Sequence, residues 1–177
     1  MMKKNSVVMA LSVAGLLTIS NAIAYDGTVN FMGQILDTAC TVDIGSNNTL
    51  MVDMGSVSKT AFVSVGDEAS TTKFTLRLIN CPVSVTSAKV KFDGLVDAFD
   101  NSLLAINPDP GAASGVAIRL KTADKSNLGL NEVNGYSYPL SSTTDNNLDF
   151  YAAYVATSAT VMAGPANAVA NFTVNYN

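Results

Sequence analysis

The sequence predicts an all-β fold, an antiparallel sandwich, and three observations carry that expectation. Nearly every apolar run has a period of two, clusters of turn formers separate the runs, and no amphipathic stretch is long enough for a packed helix. A strand turns successive side chains to opposite faces, so alternation of this kind marks a sheet with one face on a core and the other in water.

The chain opens with a segment that reads as an export signal rather than as structure. Lys3 and Lys4 supply a positive start, residues 7–19 an apolar run, and Ala22-Ile23-Ala24 a small-residue cleavage site, so residues 1–24 are expected to be removed and the mature chain to begin at Tyr25. The apolar run is too short to anchor the chain across a membrane, and no second apolar stretch of about 20 residues follows it. Removing 24 of 177 residues leaves 153, enough for one domain with a real core and cramped for two.

Residues 26–36 come next and read as a strand with Gly27, Val29, Phe31, Gly33 and Ile35 on one face. They precede the first cysteine, so no covalent staple ties them to the rest, and the sheet that takes them can belong to another molecule. Export to an oxidising compartment and a count of two cysteines point to one disulfide, Cys40 to Cys81. The loop it closes spans about 42 residues, for which chain entropy suggests roughly 4 kcal/mol of stabilisation.

The half-buried strands follow in order. Leu50, Val52 and Met54 share a face; Phe74, Leu76 and Leu78 oppose Thr75 and Arg77; Ala88, Val90 and Phe92 oppose Lys89, Lys91 and Asp93; Val116, Ile118 and Leu120 oppose Ala117, Arg119 and Lys121. Residues 148–155 are less clean, because Tyr151 and Val155 add apolar groups to the second face, so this strand is either buried on both sides or helps to form a groove. Between the runs lie Gly45-Ser46-Asn47-Asn48, Gly66-Asp67, residues 107–111, Asn134-Gly135 and Asp145-Asn146-Asn147, all turn chemistry. Residues 111–115 and 141–147 suit loops and are too short for an interdomain linker; internal repeats are absent.

Residues 171–177 alternate without error, with Phe172, Val174 and Tyr176 on one face. Termini usually fray, so a fully patterned strand here implies partners for its last backbone groups. An ordinary core strand and a partner-binding strand both fit.

Composition narrows the chemistry. The signal holds two of the ten basic residues, leaving eight against fourteen acidic ones, a net charge of −6 on the mature chain with no basic run, which argues against nucleic acid as a partner. Histidine is absent, which removes the Ser-His-Asp and Cys-His arrangements and the commonest metal ligand. Asp93, Asp97 and Asp100 cluster, and Asp67 adjoins Glu68, but their spacing does not supply a calcium loop, and solvated loop acids are the simpler reading. Tyr136, Tyr138, Tyr151 and Tyr154 could line a carbohydrate site, although aromatic residues in a sandwich more often pack on the core. We expect no catalytic residues, no metal and no cofactor.

Together these residues resemble the pilins of chaperone-usher fimbriae, the type 1 and P pilus subunits, over essentially the whole mature length. The resemblance is carried by the short alternating extension with Gly33, by Cys40 in Asp37-Thr38-Ala39-Cys40-Thr41-Val42 and by Cys81 in Leu78-Ile79-Asn80-Cys81-Pro82. Gly164, fourteenth from the end, and the penultimate Tyr176 after Phe172-Thr173-Val174 complete it. It implies an incomplete immunoglobulin-like antiparallel β-sandwich, residues 37–177, that lacks its last strand and is completed by a donated one. It also implies that residues 25–36 form the donor extension, with Gly27, Val29, Phe31, Gly33 and Ile35 filling five successive pockets of a neighbour; Gly27 departs from the larger apolar residue usual at the first. A periplasmic chaperone would hold the groove, with Phe172, Val174 and Tyr176 on its floor and the Asn177 carboxylate meeting basic chaperone residues. An outer-membrane usher would replace the chaperone with the next subunit, giving a head-to-tail polymer on the bacterial surface. The expected function is thus a structural fimbrial subunit. The alternative is an adhesive tip or minor subunit that binds a carbohydrate or receptor.

Overall fold

The computed structural model describes residues 26–35 and 38–177. The expected signal, its cleavage point at Tyr25, and Leu36 and Asp37 lie outside the described residues. The chain divides into two units, Met1–Ile35 and Leu36–Asn177. In the first, residues 26–35 belong to no hydrogen-bonded strand, although a strand was expected over 26–36.

The described residues of the second unit form nine strands: β1 (Thr41–Val42), β2 (Glu68–Ile79), β3 (Ser87–Gly94), β4 (Leu104–Ala105), β5 (Val116–Lys121), β6 (Asn127–Leu128), β7 (Tyr138–Pro139), β8 (Asn146–Ala156) and β9 (Ala170–Tyr176). One sheet runs β1-β2-β8-β5-β4 with β6 also on β5; the other runs β7-β3-β9. All the pairings are antiparallel. No α-helix occurs among the described residues.

Period-two patterning produces the core directly. Leu76 and Leu78 of β2, Leu148, Phe150 and Ala152 of β8, Ile118 and Leu120 of β5, and Ala88, Val90 and Phe92 of β3 are all buried. Phe92, from the smaller sheet, meets Phe150 of the larger edge-on at 5.1 Å and Phe74 at 6.0 Å, so three aromatic rings join the two layers. The opposite face of the larger sheet is polar: Asp149 accepts from Thr75 at 2.7 Å and pairs with Lys73 at 2.7 Å, and Arg77 pairs with Asp43 and Asp145.

The two-faced pattern of residues 148–155 is double burial at its C-terminal end, where Ala153 and Val155 are buried, while Tyr151 stays half-buried. Val155 packs with Leu103 and Ala117 in a second, smaller cluster on the far side of the sheet. Leu103 reaches it from a loop fixed by Asp97, whose Oδ1 accepts from the backbone of Phe99 and Asp100, and by Asp100, which accepts from Ser102. The acidic cluster of the sequence thus shapes a turn, and Asp93 pairs with Lys91 at 2.6 Å.

Two expectations need correction. Residues 50–54 keep their alternation, with Leu50, Val52 and Met54 half-buried and Met51 exposed, yet they pair with no strand. Asn146, expected in a turn, begins β8 and is buried, its amide closing the preceding loop through Ser141 at 2.7 and 2.9 Å.

The disulfide forms between Cys40 and Cys81, 41 residues apart in sequence. Because Thr41 is opposite Ile79 in the β1–β2 ladder, the bond closes the end of two strands already side by side.

Tyr138 is the polar tie of this core. Its hydroxyl donates to the Asp149 carbonyl at 2.7 Å and accepts from the Ala123 amide at 3.3 Å, and burial pushes its pKa far above the ordinary phenol value. Tyr138→Phe leaves both backbone groups without that partner and is expected to cost about 1–3 kcal/mol in urea unfolding. Phe150→Ala, which empties the centre of the aromatic cluster, is expected to cost about 3–5 kcal/mol in the same measurement.

Candidate assembly groove

The apolar alternation of the last strand begins earlier than residues 171–177. Ala166, Ala168, Ala170, Phe172, Val174 and Tyr176 all pack against the core, and all six remain half-buried. Their neighbours on β3 are different. Ala88, Val90 and Phe92 sit opposite Tyr176, Val174 and Phe172 on the same face, and they are 0, 0 and 5 % exposed. The cover over the smaller sheet therefore ends between β3 and β9.

Hydrogen bonding gives the same boundary. Asn177 and Ser87 exchange both backbone bonds, at 2.9 and 3.1 Å. In an antiparallel ladder bonded pairs alternate with unbonded ones, so Asn175, Thr173 and Asn171 bond to β3 while Tyr176, Val174 and Phe172 turn their N–H and C=O groups away from it. On the β3 side this is confirmed by the carbonyls of Val90 and Phe92, which point outward and accept from the Asn134 side chain and the Asn131 amide. No other strand pairs with β9 among the described residues, so these groups line an open edge.

A second wall faces that edge across the core. Leu50, Met54, Val57 and Phe62 pack inward, half-buried, from a stretch that has no ladder of its own and carries one 3-10 turn at Lys59–Ala61. At one end of the resulting groove, Val57 and Phe62 face Tyr154 and Ala166 around a cavity of about 400 Å³, and the Tyr154 hydroxyl donates to the Ala166 carbonyl at 3.0 Å. Burial, and then the charge of Asp53, raise the pKa of Tyr154. At the other end the Tyr176 ring stands beside Cys40: burial raises its pKa, and the Cys40 amide, hydrogen-bonded to its oxygen, pulls the other way.

The last residue is anchored within its own chain, since the Asn177 carbonyl accepts from the Thr86 and Ser87 amides at 3.0 and 3.1 Å. Gly164 sits where the chain approaches β9, with an added β-carbon falling 2.2 Å from the Gly111 carbonyl oxygen and 2.7 Å from backbone atoms of Ala112 and Ala113. Only glycine permits that backbone-to-backbone contact.

In the extension, Val29, Phe31 and Ile35 are 76, 93 and 96 % exposed, and no atom lies within 4 Å of a β-carbon added at Gly27 or Gly33. The tyrosines form no single cleft: Tyr138 and Tyr154 are buried, Tyr136 meets Tyr138 edge-on at 4.7 Å, and Tyr151 lies on the outer face of the larger sheet beneath Lys125. Sequence reasoning missed the wall formed by Val57 and Phe62 and the contribution of residues 166–170, although the even-numbered apolar series from Ala166 to Tyr176 is a detectable signal.

Residues 29–177 match the family described as Fimbrial protein. The chain belongs to the fimbrial protein family. It is 36 % identical to long polar fimbria protein A of Salmonella typhimurium over 99 % of this chain and 98 % of that one. The body resembles a subunit in the structure of a chaperone-usher pilus that addresses rod uncoiling, with a TM-score of 0.64 and 26 % identity over 85 % of this chain and 95 % of that one. The P pilus rod subunit PapA shares the fold, with a TM-score of 0.64 at 23 % identity, over 79 % of this chain and 100 % of that one. This fimbrial protein is a structural subunit of a chaperone-usher fimbria, has the immunoglobulin-like sandwich of such subunits, polymerises with neighbouring subunits, and belongs to the surface fimbrium.

Gly164→Ala in this fimbrial subunit forces two backbones apart at the end of the groove. It is expected to destabilise the body by about 1–3 kcal/mol, read from its urea midpoint.

Proposed function

We propose that the subunit polymerises by donor-strand exchange: residues 27–35 of one copy enter the groove of the next, with Val29, Phe31 and Ile35 over its apolar floor and Gly27 and Gly33 where a side chain is not needed. The observation that carries this reading is the half-exposed inner face of β9 beside fully buried β3 neighbours, on a strand whose outer backbone edge has no partner among the described residues. A single extended segment lying there would cover Phe172, Val174 and Tyr176 and could bond to their backbone groups. Each of Val29, Phe31 and Ile35 would gain roughly 1.5–3 kcal/mol on burial.

Before assembly the same groove is an aggregation hazard, because an open apolar edge pairs with whatever strand it meets. We assign its protection to a periplasmic chaperone that lends a strand over Phe172, Val174 and Tyr176 and receives the Asn177 carboxylate. An outer-membrane usher then exchanges that strand for the next subunit's residues 25–36. The route runs through the periplasm after removal of residues 1–24. Strand donation and acceptance require no catalysis, and the reading assigns none to this chain.

Phe31→Ser is expected to leave the body folded, with an unchanged urea midpoint, and to reduce fibre incorporation by at least tenfold in an electron-microscopy and sedimentation assay, since it removes the largest apolar contact of the extension. Phe172→Ser with Tyr176→Ser is expected to abolish co-purification with the chaperone and to lower periplasmic levels. Normal fibres from the first variant, or unchanged co-purification of the second, would reject the corresponding role.

A further inference from the structure

The second wall of the groove is held by very little. Along residues 49–62 Leu50, Met54, Val57 and Phe62 pack inward, but among the described residues a single hydrogen bond connects the backbone of this stretch to another element: the Met54 carbonyl accepts from Ser70 Oγ at 2.6 Å. The remaining backbone bonds here are local, such as Phe62 to Lys59 and Gly55 to Asp53.

Ser70 is itself unusual. It lies within β2 at φ 56, a left-handed conformation that disfavours a side chain with a β-carbon. Ala69 pairs with Tyr154 and Thr72 with Ala152, so Ser70 and Thr71 together oppose the single residue Ala153. This is a β-bulge, a device that re-aims a side chain out of the regular ladder. Here the re-aimed group is the hydroxyl that holds Met54.

A strand inserted between two backbone edges must bond to both, which fixes their separation at roughly 9.5 Å, twice the interstrand spacing. The β9 edge is set by its ladder to β3. The opposite wall has no ladder, and its position along residues 50–57 depends on packing and on the Ser70 bond.

We propose that Ser70 is a positioning residue for strand capture: from its bulge in β2 it fixes Met54, and through Met54 the wall of residues 50–57, at the spacing an incoming β-segment needs. The inference rests on the donor-strand reading given above. It assigns a specific task to a strained residue of β2, outside β9 and outside the wall of residues 50–57.

Ser70→Gly separates this role from a merely structural one. Glycine accepts φ 56 without strain, so the bulge is retained while the hydroxyl is lost. The test refolds the full-length exported chain with a fluorescent synthetic peptide of residues 25–36, measures the rate of peptide capture, and records the urea midpoint of each variant. Wild type is expected to capture the peptide, Ser70→Gly to capture it about tenfold more slowly with little change in midpoint, and Ser70→Ala to be slowed at least as much. Capture by Ser70→Gly at the wild-type rate would overturn the proposal, as would a loss of capture fully matched by a loss of stability. If Ser70→Ala fails to fold, Ser70→Gly alone decides. Failure of the wild-type chain to take up the peptide would instead reject the donor-strand reading, and the role of Ser70 with it.

Discussion

The structure turns on an uncovered strip along β9. Phe172, Val174 and Tyr176 belong to the same inner face as Phe92, Val90 and Ala88, yet the first three are half-exposed and the second three are buried. A β-sandwich gains its stability by covering both inner faces, and this one stops one strand short on the smaller sheet. The backbone shows the same deficit, because the N–H and C=O groups of these three residues face away from β3 toward an edge with no ladder. Side-chain burial and main-chain hydrogen bonding thus point to the same missing element.

The rest of the body is organised to hold that strip open and rigid. The rings of Phe74, Phe92 and Phe150 join the two sheets, Tyr138 ties β7 to β8 and to the Ala123 loop, and the Cys40–Cys81 bond closes the β1–β2 end beside Tyr176. Under the proposed strand exchange, the donor on one copy and the groove on the next are different surfaces. Such heterologous contacts propagate as an open filament when no rotation closes them into a ring, which agrees with a subunit whose family builds fimbriae.

Much of this was legible in the sequence, for reasons that can be traced to particular residues. Alternation in 74–78, 88–92, 116–120 and 171–177 marks half-buried strands because those strands have one wet and one dry face, and all four occur. The pairing of Cys40 with Cys81 followed from export and a count of two. Residues 50–54 show why pattern alone is insufficient: Leu50 and Met54 pack on the core and Val52 is half-buried beside them in the alternation, but alternation reports burial of side chains and not the presence of a ladder. The first residues of β2 were invisible because Ser70, Thr71 and Thr72 lie in and beside a bulge, where tertiary contact with Met54 replaces periodicity. The double burial of Val155 depends on Leu103, a residue 52 positions away in the chain that a separate loop delivers.

Amide hydrogen exchange along β9 tests the central claim most directly, because the ladder to β3 makes protection alternate. In the isolated body the amides of Asn171, Thr173 and Asn175 should be protected and those of Phe172, Val174 and Tyr176 should exchange freely, whereas in assembled fibres all six should be protected. Protection of Phe172, Val174 and Tyr176 already in the isolated body, or their continued free exchange in the fibre, would contradict an edge that is open in the subunit and filled on assembly.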